Sequence, residues 1–157
     1  MVVVAAVDRS DRAGRVITEA VALGGAFGEP VHVLHSMKRS TFVDLGVRTA
    51  EDGDPVTLDD VRAYGRKVAK DAMEAAGIDA DDADGEGDDL PPIERVGLVG
   101  DPEEEIVKYA EREDARYIIV LGRKQSPTAK AIFGSVAQSV LLNAPCSVVA
   151  PPRALPE

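Results

Sequence analysis

Short unbroken apolar runs alternate along the chain with stretches whose apolar residues recur every three or four positions. The runs are Val2–Val7, Val31–Leu34, Ile93–Val99, Tyr117–Leu121 and Ser147–Ala150. Continuous runs of this kind suit strands buried on both faces of a parallel sheet. From Asp11 to about Ala26, the residues Ala13, Val16, Ile17, Ala20 and Leu23 share a helical spacing, and Gly28 and Pro30 signal the stop. Leu58, Val61, Gly65, Val68, Ala72 and Ala75 predict a second helix, opened by a capping box of Thr57 and Asp60 and closed at Gly77. Asp101, Pro102 and Glu103 to Glu105 form a third helix start: a cap, a proline at the first helical position, and acids where the dipole favours them. A fourth helix opens at Gly134-Ser135 and stops before Pro145.

Strands alternating with helices predict an α/β fold, a Rossmann-like three-layer α/β/α sandwich around a five-stranded parallel sheet. The 157 residues suit one domain, expected to span 1–157. Residues 37–56 have no sustained period and are expected to be a surface loop, as is the acidic tract 79–89, which has little to bury. His32 and His35 lie three apart in a strand and so point to opposite faces; they make no metal pair.

The charge balance narrows the choice of partners. A net charge of −10 and a pI near 4.7 disfavour nucleic acid and anionic membranes. Residues 115–157 nevertheless carry five cations (Arg116, Arg123, Lys124, Lys130, Arg153) and one acid, Glu157, which leaves −14 on residues 1–114. The single cysteine, Cys146, allows no internal disulfide and suits a reducing cytoplasm, where it is expected to be an inert, buried hydrophobe. The apolar start runs into Asp8 too soon for a signal segment, and no stretch approaches the roughly 20 apolar residues of a membrane span. A soluble, cytoplasmic protein is expected.

The candidate chemistry lies between Gly122 and Gly134. Strand-to-helix connections usually take a few residues, so this longer one suggests a segment kept for a ligand or partner. Glycines at both ends let amides approach an anion, and the helix start at Gly134-Ser135 offers unpaired N–H donors at the positive end of a dipole. Arg123, Lys124 and Lys130 concentrate positive charge there. At the end of the first strand, Asp8 suits either a turn former or an acceptor for a vicinal diol.

These residues resemble the phosphate signature of the universal stress protein family: glycine, two residues, glycine, nine residues, Gly-Ser, then a helix and a last strand entered through a proline turn. Gly122, Gly134-Ser135 and the run Ala144-Pro145-Cys146-Ser147-Val148-Val149 match it, and Ala6-Val7-Asp8-Arg9-Ser10 resembles the family's first-strand motif. The chain departs at Gln125, where the family has its middle glycine, and its loop is one residue shorter. The resemblance implies a sheet order 3-2-1-4-5 and a homodimer through the last strand, 147–150. It also implies ATP or a related adenine nucleotide, with or without magnesium. The implied nucleotide site comprises Ala6, Asp8, Ser36, Leu121, Gly122, Arg123, Lys124, Lys130, Gly134, Ser135 and Val136, with Asp8 on the ribose and the main chain around Ser36 on the adenine.

Two functions stay open at this point. One is a regulatory protein that binds an adenine nucleotide, its basic side chains replacing donors lost with the middle glycine. The other, favoured by Gln125 and the short loop, is a dimeric stress protein that binds no nucleotide and works through protein contacts. An enzyme is not expected, because there is no Ser-His-Asp set and no Gly-Lys-Ser phosphate loop. A phospho-receiver domain would need an acid paired with Asp8 and a lysine after the fifth strand, where Pro151 stands.

Overall fold

The computed structural model describes residues 1–46, 55–79, 90–122, 124–125 and 131–152, with only the backbone for 124–125 and 131–132. Strand β1 (Val2–Ala6) is central and buried throughout. It pairs in parallel with β2 (Val31–Met37) on one side and β4 (Ala115–Val120) on the other. Beyond them lie β3 (Ile93–Val99) and β7 (Ser147–Val149), giving the order β3-β2-β1-β4-β7. With β7 as the fifth strand of the sheet, this is the expected 3-2-1-4-5 arrangement.

The two-residue period of a strand divides the core into two layers. Val3, Ala5 and Val7 pack with Val16, Ile17 and Ala20 of α1 (Gly14–Phe27) and with Val68, Ala69 and Met73 of α3 (Leu58–Ala75). Val2, Val4 and Ala6 pack with Ile106, Tyr109 and Ala110 of α4 (Pro102–Arg112) and with Ala137 and Val140 of α5 (Ser135–Asn143). The histidines follow the same rule. His32 Nδ1 lies 2.7 Å from the Tyr109 hydroxyl on the α4 side, while the His35 ring stands edge-on to Tyr64 of α3.

The expected helix starts are present. Asp60 N–H donates to Thr57 Oγ1 and Thr57 N–H donates back to Asp60 Oδ2, a reciprocal capping box. Glu103 N–H donates to Asp101 Oδ1 at 3.0 Å, with Pro102 at the start of the helix. α1 closes at Gly28, whose φ of +66° is left-handed.

Four expectations need correction. Within 37–56, a short helix α2 (Arg39–Asp44) replaces part of the loop; Phe42 drives it by packing against Met37 and Val61. β2 runs on to Met37, because β3 pairs with it as far as Met37↔Val99. The Gly122–Gly134 connection is no simple loop, since β5 (Lys124–Gln125) and β6 (Ala131–Ile132) form a small antiparallel ribbon. Cys146 is only half-buried, in the bend before β7, and burial pushes its thiol pKa up. Residues 47–54, most of the acidic tract (80–89), Arg123, Lys130 and Arg153 lie outside the described residues. Among the described residues, no helix is long and apolar enough to cross a membrane, and no group of His, Cys, Asp and Glu could hold a metal ion.

Candidate functional site

After β3 the chain crosses from one side of β1 to the other, so β1 and β4 flank a topological switch point, where sheets of this type leave a crevice at their carboxyl ends. A cavity of about 290 Å³ lies there. Ala6, Val120 and Leu121 line its sheet side, and Ile106 and Ala137 line its helix side. It opens past Asp8, Ser36, Pro102 and Ser135 into an outer chamber of about 550 Å³ edged by Arg9, Lys38, Thr41 and Glu103. An apolar interior with a few polar groups at its rim is the usual make-up of a small-molecule site.

Two helix starts face this cleft, and their electrostatics differ. α4 is closed: Asp101 caps it, Glu103, Glu104 and Glu105 occupy its first turn, and Lys38 Nζ lies 3.6 Å from Asp101 Oδ2. At α5 the capping residue is Gly134, no side chain caps the helix, and no acid lies in the first turn. The helical ladder begins with Gln138 N–H to Gly134 O, so the amides of Ser135, Val136 and Ala137 precede it. Free amides at the positive end of a dipole attract an anion.

The end of β2 is open for a different reason. Val7 N–H donates to Leu34 O at 2.9 Å and Gly100 N–H to Met37 O at 3.0 Å. Alternate residues of a parallel strand turn their main-chain groups to opposite sides, so Ser36 faces the side of β1, beyond the point where β1 stops. A continued ladder would give the Ser36 N–H to Val7 O. That carbonyl accepts instead from His35 Nδ1–H at 2.9 Å, which fixes the tautomer and leaves the buried Nε2 without a partner. Burial pulls the His35 pKa below its ordinary value, Arg9 lowers it further, and the Val7 bond and Asp8 oppose them.

Of the residues implied by the resemblance, the fold gathers Ala6, Asp8, Ser36, Leu121, Gly134, Ser135 and Val136 around the cleft. Asp8 Oδ1 also accepts from Ser10 N–H at 2.9 Å, so the carboxylate shapes its turn as well as edging the cleft. Gly122 has a structural role of its own. Its N–H donates to Pro151 O at 2.8 Å, and a Cβ there would come within 2.6 Å of the Ala150 and Pro151 carbonyls. Glycine at 122 is thus required by close packing against the exit of β7, where the Pro151 carbonyl takes up its amide. Arg116 is engaged at the other end of the sheet. It lies at the amino edge of the sheet, where Nη2 meets Glu29 Oε1 at 2.7 Å and the guanidinium covers the Phe27 ring. Arg123, Lys130 and the side chain of Lys124 lie outside the described residues.

Sequence reasoning missed Val7, His35, Pro102, Ile106, Val120 and Ala137 as cleft residues. Pro102 had already read as a helix opener, and the switch-point rule could have pointed to the start of its helix as the neighbouring wall.

The comparisons with known proteins agree with this architecture. The model of the universal stress protein family matches residues 1–151. A universal stress protein of Methanothermobacter thermautotrophicus is 47% identical over 49 residues, which is 31% of this chain and 33% of that relative. The chain therefore matches about a third of the length of that curated relative. The structure of a universal stress protein from Archaeoglobus fulgidus aligns with a TM-score of 0.63 at 30% identity, covering 96% of this chain and 97% of that one. A structure from the same organism, in complex with dAMP, aligns with a TM-score of 0.58 at 25% identity over 96% of each chain. With the family model matched over residues 1–151 and the five-stranded order in place, this chain belongs to the universal stress protein family.

Proposed function

We propose that this protein binds an adenine nucleotide in the cleft at the carboxyl edge of its sheet and acts as a regulatory binding protein rather than a catalyst. The phosphates lie on the amides of Ser135 to Ala137, the ribose hydroxyls donate to Asp8, and the base enters the apolar cavity beside Ser36. The observation that carries this reading is the unequal pair of helix starts facing one cleft: the acidic α4 repels phosphate and the uncapped α5 receives it. The relative in complex with dAMP supports the ligand class. The local excess of cations, Arg123, Lys124 and Lys130, supports an anion.

Thermal unfolding with ATP or AMP, each with and without magnesium, tests it. A nucleotide at 100 times its Kd adds about 2.7 kcal/mol of stability. The absence of any shift at millimolar nucleotide favours the second reading, a dimer that works through protein contacts. That reading draws support from one feature: among the described residues the outer edge of β7 ends the sheet, with Leu141 and the 83%-exposed Leu142 close by in sequence. An unpaired apolar edge is a template for a second strand, so a homodimer through 147–150 belongs to both readings. Light scattering is expected to give twice the 16.6 kDa chain mass, and a monomer at micromolar concentration rejects the dimer.

A further inference from the structure

His35 is 7% exposed, and its buried Nε2 has no hydrogen-bond partner among the described residues. A leucine there would fill the space beside Tyr64 without burying an idle acceptor, so the use of this ring lies in its other nitrogen. Nδ1–H donates to Val7 O at 2.9 Å, while Val7 N–H donates to Leu34 O. Both main-chain groups of Val7 are thus tied to β2. The carbonyl belongs to the Val7–Asp8 peptide, a rigid plane that also contains the Asp8 nitrogen and Cα. Fixing that carbonyl fixes the root from which the Asp8 carboxylate leaves the chain. Ser10 N–H then steadies the carboxylate through Oδ1 at 2.9 Å, at the rim of the cleft. The ring lies close enough to Asp8 and Arg9 for both charges to act on it.

We propose that His35 is a positioning residue of the cleft: its bond to the Val7 carbonyl holds the Asp8 carboxylate where the two hydroxyls of a ribose can donate to it. This rests on the nucleotide reading, with Asp8 at the ribose. Hydroxyls on neighbouring carbons bond well to a carboxylate only within a narrow range of distance and angle. Once the Val7 carbonyl is released, the peptide plane can rotate, and a small rotation there is magnified at the end of the Asp8 side chain. The loss falls on the diol alone, because the amides of α5 and the apolar cavity do not hang on this peptide.

Calorimetric titration of the full chain with AMP and with 2′,3′-dideoxyadenosine 5′-monophosphate, which lacks both hydroxyls, tests the proposal. The wild type is expected to bind AMP about tenfold more tightly, the equivalent of a hydrogen bond to a charged group. His35→Leu, checked for cooperative unfolding, is expected to lose that preference, with AMP weakened and the dideoxy nucleotide nearly unchanged. His35→Gln, whose amide stands at the place of Nε2, is a second variant expected to lose it. His35→Asn keeps an N–H at the place of Nδ1 and is expected to retain most of the preference. A merely structural histidine would weaken both ligands alike. That result in His35→Leu or His35→Gln, or equal binding of the two ligands by the wild type, overturns the role of His35 while leaving the nucleotide site intact. If neither ligand saturates the wild type at millimolar concentration, the nucleotide reading falls and this inference falls with it.

Discussion

The two ends of the sheet solve opposite problems. At the amino edge the charged groups satisfy one another: Arg116 donates through Nε to both Glu29 oxygens at 2.9 Å, and its guanidinium lies over Phe27, which in turn packs on Tyr117. At the carboxyl edge, polar groups are left over. The first amides of α5 have no helical partner, and the Ser36 main chain faces past the end of β1. The difference teaches where this fold concentrates stability and where it leaves capacity for a ligand. Within the carboxyl edge the contrast repeats, with α4 closed by its own acids and α5 left open.

The largest expected effect comes from making α5 resemble α4. Ser135→Asp places a carboxylate in the first turn, which favours the helix and opposes phosphate. Nucleotide affinity should fall about a hundredfold by calorimetry, equivalent to about 2.7 kcal/mol, while urea unfolding shows equal or greater stability. The reverse change, Asp101→Ala, removes a helix cap and should cost about 1 kcal/mol in urea unfolding. Its nucleotide affinity should stay within a few-fold of wild type. Arg116→Met, at the opposite edge, is expected to lower Tm by a smaller amount that added salt erodes, without changing affinity.

The smallest effect is one of pH. The His35 pKa is lowered from its ordinary value of 6.5, so below about that pH the unfolded chain binds a proton that the folded chain resists. Its contribution to stability is therefore full above 6.5 and is lost as the pH falls towards the folded pKa. His35→Asn should weaken the protein at pH 7.5 and flatten this part of the slope between pH 7.5 and 5.5, measured by urea unfolding at each pH.

Most of the fold was legible because its signals are local. The run Ile93–Val99 is β3 as read, the Thr57 and Asp60 box opens α3, and Gly134-Ser135 opens α5. α2 was illegible: it spans six residues, no side chain caps it, and it exists because Phe42 finds Met37 and Val61. Half of the site was readable for the same reason, since Asp8 and Ser135 sit at strand and helix ends that the pattern marks. Gly122 marks a limit of the sequence, because a glycine that admits a phosphate and a glycine that admits the Pro151 carbonyl look alike in one dimension. Ile106 and Pro102 reach the cleft only through the crossover that places α4 beside β1.

The most direct measurement is an amide-resolved NMR titration of the full chain with AMP. Saturable shifts are expected at the amides of Ser135, Val136 and Ala137, with those of Glu103, Glu104 and Glu105 almost still. Equal movement at both helix starts, or none at α5 at saturating AMP, would contradict that expectation.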